Sequence, residues 1–147
     1  MIIRRCKFED ILAVTELEKQ CFKGESWGYG TLASSFENPQ YSMFVAEEAG
    51  EIAGYGCISV SFENCDLENV LVAEEYRRSG VGRKILNQLI TEAKARGAEN
   101  MFLEVRVSNS PAMRLYLSSG FVGVYARSRY YSDGEDCLVM KKSLIGD

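Results

Sequence analysis

A glycine-rich and strongly basic segment, residues 76–84, has the residue types that bind an anionic ligand. Two glycines, Gly80 and Gly82, let backbone N–H groups approach a ligand with no side chain in the way. N–H groups at the start of a helix form an anion site, which the helix dipole reinforces. Four cations surround the segment: Arg77, Arg78, Arg83 and Lys84. We therefore expect a ligand with more than one negative charge.

The residues on either side of this basic turn (residues 76–84) predict a strand before it and a helix after it. Residues 70–73 form an apolar run. From Gly80 onward the apolar residues recur at helical spacing: Val81, Ile85, Leu86, Leu89, Ile90 and Ala93. The glycine spacing excludes a Walker phosphate loop and a dinucleotide-binding fingerprint. The alternative is a solvated turn whose glycines serve only the backbone geometry.

Acid–base chemistry in this chain must use carboxylates, tyrosines, lysines or cysteines, because the sequence contains no histidine. The absence of histidine excludes histidine-dependent nucleophilic triads and leaves a zinc site short of its usual ligand. The five cysteines have neither metal-ligand nor paired spacing, so no metal is expected: Cys6, Cys21, Cys57, Cys65 and Cys137. Glu104 is a candidate for a functional role because it interrupts an otherwise apolar strand pattern.

Length and composition predict one globular domain that spans residues 1–147. Apolar residues make up 46% of the chain and charged residues 26%. The formal net charge of -4 argues against nucleic-acid binding and suits a basic peptide partner. An odd number of cysteines, with neither a signal-peptide pattern nor an apolar run of membrane-spanning length, predicts a cytoplasmic protein without a membrane partner.

The remaining patterns predict a mixed α/β chain. Helices are expected over residues 9–22, 31–36, 80–97 and 110–119, with Ser110 as the N-cap of the last and Pro111 as its first residue. Strands are expected over residues 1–4, 42–47, 51–62, 67–73, 100–106, 121–126 and 136–141. A turn is predicted at residues 64–66. Short connections make the strands before this turn antiparallel neighbours.

These elements and motifs resemble the GNAT superfamily of N-acetyltransferases, in which Arg-Arg-x-Gly-x-Gly between a strand and a helix binds the pyrophosphate of acetyl-CoA. The second half is similar to the RimI-like branch, which acetylates the amino-terminal alanine of small-subunit ribosomal protein 18. The matching segments are residues 68–72, 76–83, 102–106, 108–109, 115–116, 120–121, 129–131 and 135–136. The resemblance implies the GNAT fold, with a central mixed, mostly antiparallel sheet flanked by about four helices.

The resemblance also assigns roles to individual residues. Glu104 matches the general base of the family, and Tyr116 matches its general acid. The strand backbone would pair with the pantetheine arm, and the basic turn would hold the pyrophosphate. The implied acetyl-CoA contacts are Val70, Leu71, Val72, Arg77, Arg78, Ser79, Gly80, Val81, Gly82, Arg83, Asn109 and Tyr116. No metal is implied.

Elementary chemistry agrees with these roles. An α-amine, with a pKa of about 7.7 to 8.0, needs only about 1 kcal/mol to lose its proton at pH 7. A lysine side chain, with a pKa of about 10.4, needs about 5 kcal/mol. Glu104 could take that proton, and the neutral phenol of Tyr116 could protonate the departing thiolate. Two alternatives stay open: Glu104 could form a structural ion pair with Arg106 or a lysine, and Tyr116 could simply pack in the core.

Three aromatic residues, Trp27, Tyr130 and Tyr131, are candidates for binding the acceptor, although each could equally serve packing. The segment from Phe22 to Leu32 departs from the compact RimI-like pattern, and this departure bears on acceptor choice more than on chemistry. Two other functions stay open: a GNAT enzyme for another amine, such as other protein amino-termini, lysine, a polyamine or a small molecule, and a non-catalytic coenzyme A sensor. A nucleic-acid module is poorly supported, because the basic residues form no extended stripe.

Overall fold

The computed structural model describes residues 1–22 and 26–146, which contain seven strands and four α-helices. The strands are β1 (Ile2–Arg5), β2 (Tyr41–Glu48), β3 (Glu51–Ser61), β4 (Asn64–Val72), β5 (Asn100–Arg106), β6 (Val122–Arg127) and β7 (Cys137–Ser143). The helices are α1 (Ile11–Cys21), α2 (Gly28–Phe36), α3 (Val81–Ala95) and α4 (Ser110–Ser118). Two 3-10 turns, Phe8–Asp10 and Glu74–Tyr76, precede α1 and the basic turn.

The strands follow the order β1-β2-β3-β4-β5-β7-β6 in one sheet. Pairing is antiparallel between β1 and β2, β2 and β3, β5 and β7, and β6 and β7. Strands β4 and β5 are parallel, as expected for two strands joined through a helix. The predicted mixed, mostly antiparallel sheet with about four helices is confirmed.

Residues 1–22, 26–59 and 68–92 form the first of two compact units. Its core contains the apolar face of α1 with α2 and the inward residues of β2 and β3. Helix α3 lies directly on β3, because two glycines of the strand leave room for it. A Cβ at Gly56 would lie 2.4 Å from Ile85 Cγ2 and 2.8 Å from Leu89 Cδ1, and a Cβ at Gly54 would lie 2.9 Å from the Leu71 carbonyl oxygen.

Residues 60–67 and 93–146 form the second unit, in which β5 lies between β4 and β7. Three residues of β5 pair with β4, and all seven pair with β7. Met101, Leu103 and Val105 are buried, whereas Glu104 is exposed on the opposite face. The alternation predicted for this strand is therefore confirmed, and it places the carboxylate outside the core.

Three predicted boundaries are wrong. Strand β4 already begins at Asn64, and the chain reverses at residues 62–63, where Phe62 has φ of 56°. Helix α2 begins at Gly28 rather than at residue 31, so the glycines at positions 28 and 30 lie within the helix and not in the loop before it. The N-cap of α4 is Asn109 and not Ser110, since the Asn109 Oδ1 accepts the Ala112 N–H at 3.3 Å.

Replacement of Gly56 by alanine tests the contact between α3 and β3. We expect Gly56→Ala to lower the free energy of unfolding by about 1–3 kcal/mol, because the added methyl group must displace buried Ile85 and Leu89. Thermal unfolding would show a midpoint lower by roughly 2–4 °C per kcal/mol. Gly30→Ala in α2, where a Cβ meets nothing within 4 Å, is the matched control and should be neutral or stabilising. Equal midpoints for the two variants would contradict this packing.

Candidate active site

The basic turn leaves β4 and enters α3 through two residues in the left-handed region. Arg78 has φ of 64° and Gly80 has φ of 84°. The Ser79 hydroxyl donates to the Tyr76 carbonyl and closes the turn. The Lys84 N–H donates to the Gly80 carbonyl at 3.1 Å as α3 begins. Backbone N–H groups that precede the first such bond of a helix have no intrahelical acceptor and suit an anion.

Arg77 contacts the end of β4 instead of extending from the turn. Its Nε donates to the Val72 carbonyl at 3.1 Å, and its terminal nitrogen lies 3.5 Å from the Cys21 sulfur. Arg77 thus connects three pieces of the first unit: α1, the end of β4 and the turn. Arg77 is among the predicted acetyl-CoA contacts, and that role stays a prediction beside the positioning contact that its side chain makes.

Glu104 has a partner on each carboxylate oxygen, and both partners follow β5 in the sequence. The Tyr130 hydroxyl donates to Oε1 at 3.0 Å, and Arg127 Nε lies 3.3 Å from Oε2. The hydrogen bond to this carboxylate raises the pKa of Tyr130 above its ordinary value. The Glu104 side chain is still 41% exposed, so a ligand can reach it from solvent.

The sequence left open an ion pair of Glu104 with Arg106 or a lysine, and the arginine beside Glu104 in the structure is Arg127. Arg106 instead donates to Asp133 at 2.9 and 3.0 Å and to Glu135 at 3.0 Å. Its guanidinium also lies 4.0 Å from the centre of the Tyr131 ring. These contacts fix the loop between β6 and β7.

The same loop carries the two tyrosines predicted to contact the acceptor. The Tyr130 and Tyr131 rings meet edge to face with centroids 5.1 Å apart. Tyr130 is 47% exposed, while burial raises the pKa of Tyr131. Tyr131 is therefore held by the loop, and Tyr130 presents its ring to solvent and its hydroxyl to Glu104.

Asp66 is a second carboxylate near Glu104 that sequence reasoning missed. It lies on β4 in register with Phe102 of β5. Partial burial raises the pKa of Asp66, and the charge of Glu104 raises it further. The sequence assigned Asp66 to a turn, so it was not considered as a site residue. It lies between buried Cys65 and Leu67, and this alternation is typical of a strand.

Tyr116 is buried in α4, with 9% of its surface exposed. Its ring meets the edge of Phe121 at a centroid distance of 5.8 Å, which is a packing contact. Burial raises the pKa of Tyr116 to about 12, so the phenol keeps its proton at neutral pH. At the start of the same helix, the Asn109 Oδ1 is engaged as the N-cap, and a ligand contact from this side chain would use the amide nitrogen.

Trp27 packs in the first unit, and Glu18 fixes the backbone beside it. The indole meets the Tyr41 ring at a centroid distance of 6.2 Å and an angle of 80°. The Glu18 carboxylate accepts the N–H groups of Trp27 and Gly28, both at 3.2 Å. Burial raises the pKa of Glu18, which is fully buried. These contacts favour packing for Trp27. Lys23, Gly24 and Glu25 of the divergent segment lie outside the described residues.

The candidate residues divide between the two units. The basic turn, residues 70–72 and Trp27 lie in the first, and Glu104, Asn109, Tyr116, Tyr130 and Tyr131 lie in the second. Within residues 1–22 and 26–146, no group of three or more cysteine, aspartate or glutamate side chains is arranged to hold a metal ion. No helix in the described part of the chain is long and apolar enough to cross a membrane.

Residues 11–121 match the acetyltransferase (GNAT) family. The chain belongs to this family. It is similar to an N-alpha-acetyltransferase from Sulfurisphaera tokodaii, with 31% identity over 97% of this chain and 92% of the relative. It is also similar to the crystal structure of the ribosomal-protein-S18-alanine N-acetyltransferase from Escherichia coli, with 33% identity, a TM-score of 0.88, and coverage of 97% and 93%.

A third similar protein, the acetyltransferase yncA from Salmonella typhimurium, has a structure with its cofactor acetyl-CoA. The identity is 25%, the TM-score is 0.87, and the alignment covers 100% of this chain and 95% of that one. This GNAT chain is an acyltransferase that depends on acetyl-CoA. The predicted family, fold and enzyme class are confirmed, as is the similarity to the RimI-like branch.

Substitutions at Arg78 separate the backbone geometry of the turn from its charge. A left-handed conformation costs a side-chain-bearing residue about 1–2 kcal/mol, and glycine avoids this cost. We expect Arg78→Gly to unfold at a higher temperature than Arg78→Ala, while both raise the KM for acetyl-CoA by about the same factor, because both lose one cation. Thermal unfolding and initial rates measure the two effects. Identical midpoints, or a KM raised only in the alanine variant, would contradict this separation.

Proposed function

We propose that the enzyme transfers an acetyl group from acetyl-CoA directly to the amino-terminal α-amine of a protein, most specifically the amino-terminal alanine of ribosomal protein bS18. The observation that carries this proposal is the exposed Glu104 carboxylate, held by Tyr130 and Arg127 in a chain without histidine. The ribosomal protein is suggested by the S18-alanine N-acetyltransferase that resembles this chain over 97% of its length.

Glu104 acts as the general base in this proposal, and Tyr116 acts as the general acid. As the amine nitrogen bonds to the thioester carbonyl carbon, Glu104 accepts the proton that the amine loses. The carbon–sulfur bond then breaks, and Tyr116 gives its proton to the departing thiolate. The high pKa of Tyr116, about 12, keeps it in the protonated form that this step requires. The acid and the base later exchange their protons with solvent.

The first unit has the groups that a coenzyme A ester requires, and acetyl-CoA supplies the activated thioester. The basic turn offers cations and helix-start N–H groups to the pyrophosphate. We assign this role to Arg78, Ser79, Gly80, Val81, Gly82 and Arg83. The backbone of Val70, Leu71 and Val72 pairs with the pantetheine arm, and Asn109 and Tyr116 contact the coenzyme. Arg77 positions the end of β4 through the Val72 carbonyl.

Three further proposals concern organisation, location and partners. We propose that residues 1–147 act as one domain, because the GNAT match spans parts of both units. Five free cysteines favour the reducing cytoplasm. The acceptor is a protein or peptide amino-terminus, with Tyr130 and Tyr131 beside it and Trp27 as a less direct contributor. That the enzyme has no nucleic-acid or membrane partner stays a prediction from charge and composition.

Mass spectrometry of two peptides tests the acceptor. One begins with the alanine of the ribosomal protein, and the other is the same peptide with a blocked amino-terminus and free lysines. We expect acetyl transfer from acetyl-CoA only to the free terminus, because an α-amine loses its proton far more readily than lysine. Transfer to the blocked peptide alone would favour another amine. Transfer to neither would contradict an amino-terminal acceptor.

Glu104→Gln tests the base and separates an enzyme from a coenzyme A sensor. We expect kcat for the alanine peptide to fall about 100-fold or more, because the amide cannot accept the proton, while the acetyl-CoA dissociation constant changes little. Glu51→Gln neutralises an exposed glutamate on a different strand, β3, and is the matched control. This variant should keep the wild-type turnover. Unchanged turnover in the Glu104 variant would remove this residue from the mechanism.

Arg106→Leu tests the loop that carries the tyrosines. Without its guanidinium, Asp133 and Glu135 lose their shared partner and Tyr131 loses its stacked cation. We expect the KM for the acceptor peptide to rise several-fold and the KM for acetyl-CoA to stay constant. Arg114→Leu at an exposed position of α4 controls for the loss of a surface cation. An equal rise in both KM values would show a general loss of structure instead.

A further inference from the structure

We propose that Arg127 makes this enzyme selective for weakly basic amines by holding a positive charge beside the Glu104 carboxylate. This proposal rests on the proposed function, in which Glu104 is the general base. It adds a residue that determines which amines Glu104 can deprotonate. Arg127 is the last residue of β6, and no role was predicted for it from the sequence.

The guanidinium of Arg127 is held by contacts to three side chains. Its Nε lies 3.3 Å from the Glu104 Oε2, and its terminal nitrogen donates to the Tyr125 hydroxyl at 3.0 Å. The central carbon lies 5.4 Å from the Tyr125 ring centre and 5.7 Å from the Tyr130 ring centre. These contacts place the cation at the carboxylate before any acceptor arrives.

Strand register explains why Arg127 and not Arg106 has this place. Arg127 and Arg106 both align with Cys137 of β7, so they lie in one row across three strands. Arg106 is drawn to Asp133 and Glu135 in the loop. Arg127 is thus the arginine of this row whose partner is Glu104.

Four further side chains interact electrostatically with Glu104, and none of these four is a cation. Asp66 on β4 and Cys137 on β7 interact electrostatically with Glu104, as do the tyrosines of the loop. An ammonium that approaches Glu104 must therefore displace or approach Arg127, and like charges repel at short range. A neutral amine meets no such repulsion.

Amines differ strongly in how often they can arrive neutral. At pH 7 about one α-amine in ten is unprotonated, against about one lysine amine in 2,500. A fixed cation beside the base disfavours the approach of both protonated forms, so the neutral fraction of each amine determines how often it reaches Glu104. Without that cation, Glu104 can pair with an ammonium and deprotonate it in place. Arg127 should thus protect the α-amine from competition by more basic amines.

The test compares kcat/KM for two peptides, one with a free amino-terminus and no lysine, and one with a blocked amino-terminus and one lysine. We expect Arg127→Gln to lower the ratio of the first to the second by about two- to five-fold, mainly through a lower KM for the lysine peptide. Arg127→Lys, which keeps the charge, should retain most of the wild-type ratio. Arg129→Gln removes a cation from the same hairpin and should leave the ratio unchanged.

Each outcome decides the proposal. A ratio that stays constant while both rates fall would make Arg127 a structural residue, and lysine transfer that remains undetectable in Arg127→Gln would also overturn the proposal. Arg127→Met is a second neutral variant in case the glutamine variant does not fold, and thermal unfolding checks both. If the wild type modifies no α-amine, the proposed function itself fails. If the wild type modifies an α-amine but the ratio of the two kcat/KM values is the same in Arg127→Gln, only the role of Arg127 fails.

Discussion

The close contact between α3 and β3 is the constraint on which the first unit depends. Gly54 and Gly56 leave Ile85 and Leu89 resting on strand backbone, at distances that a Cβ would not permit. The start of α3 is thereby fixed against the sheet. The basic turn spans the distance between this helix start and the end of β4, whose Val72 carbonyl is held by Arg77. The N–H groups at the start of α3 thus owe their position to two residues that have no side chain.

Two glutamates show why a shifted pKa alone does not identify a base. Burial raises the pKa of Glu18, but its two oxygens accept the N–H groups of Trp27 and Gly28, and the side chain has no exposed surface. Glu18 is an anchor for the start of α2. Glu104 is exposed and bonded through side chains that can move apart. Access and exchangeable partners, rather than burial, therefore favour Glu104 as the base.

Periodicity predicted most elements, because burial on one face determines the spacing of apolar residues. The bounds of β5 and the hairpin between β2 and β3 came from this signal. Local backbone conformations were harder to predict from the sequence. Phe62 adopts a left-handed turn conformation that its residue type disfavours, and Asn109 and Ser110 are both good N-caps, so sequence could not choose between them. The partners of Glu104 depend on the register of β6 and β7, which their sequences do not specify.

The loop between β6 and β7 shows how a distant pair of charges can set the chemistry of a base. Glu104 and Arg106 lie two residues apart on one face of β5, so an ion pair between them was one alternative that the sequence left open. The carboxylates of Asp133 and Glu135 take Arg106, and hydrogen bonds from Ser108 and Arg106 lower the pKa of Glu135 and keep it charged. Because Arg106 is paired with these two carboxylates, the cation beside Glu104 is Arg127 of β6. Its guanidinium also lies near the Tyr130 ring. The charge beside Glu104 therefore depends on the loop that carries Tyr130 and Tyr131, which couples the environment of this carboxylate to the surface proposed to receive the substrate.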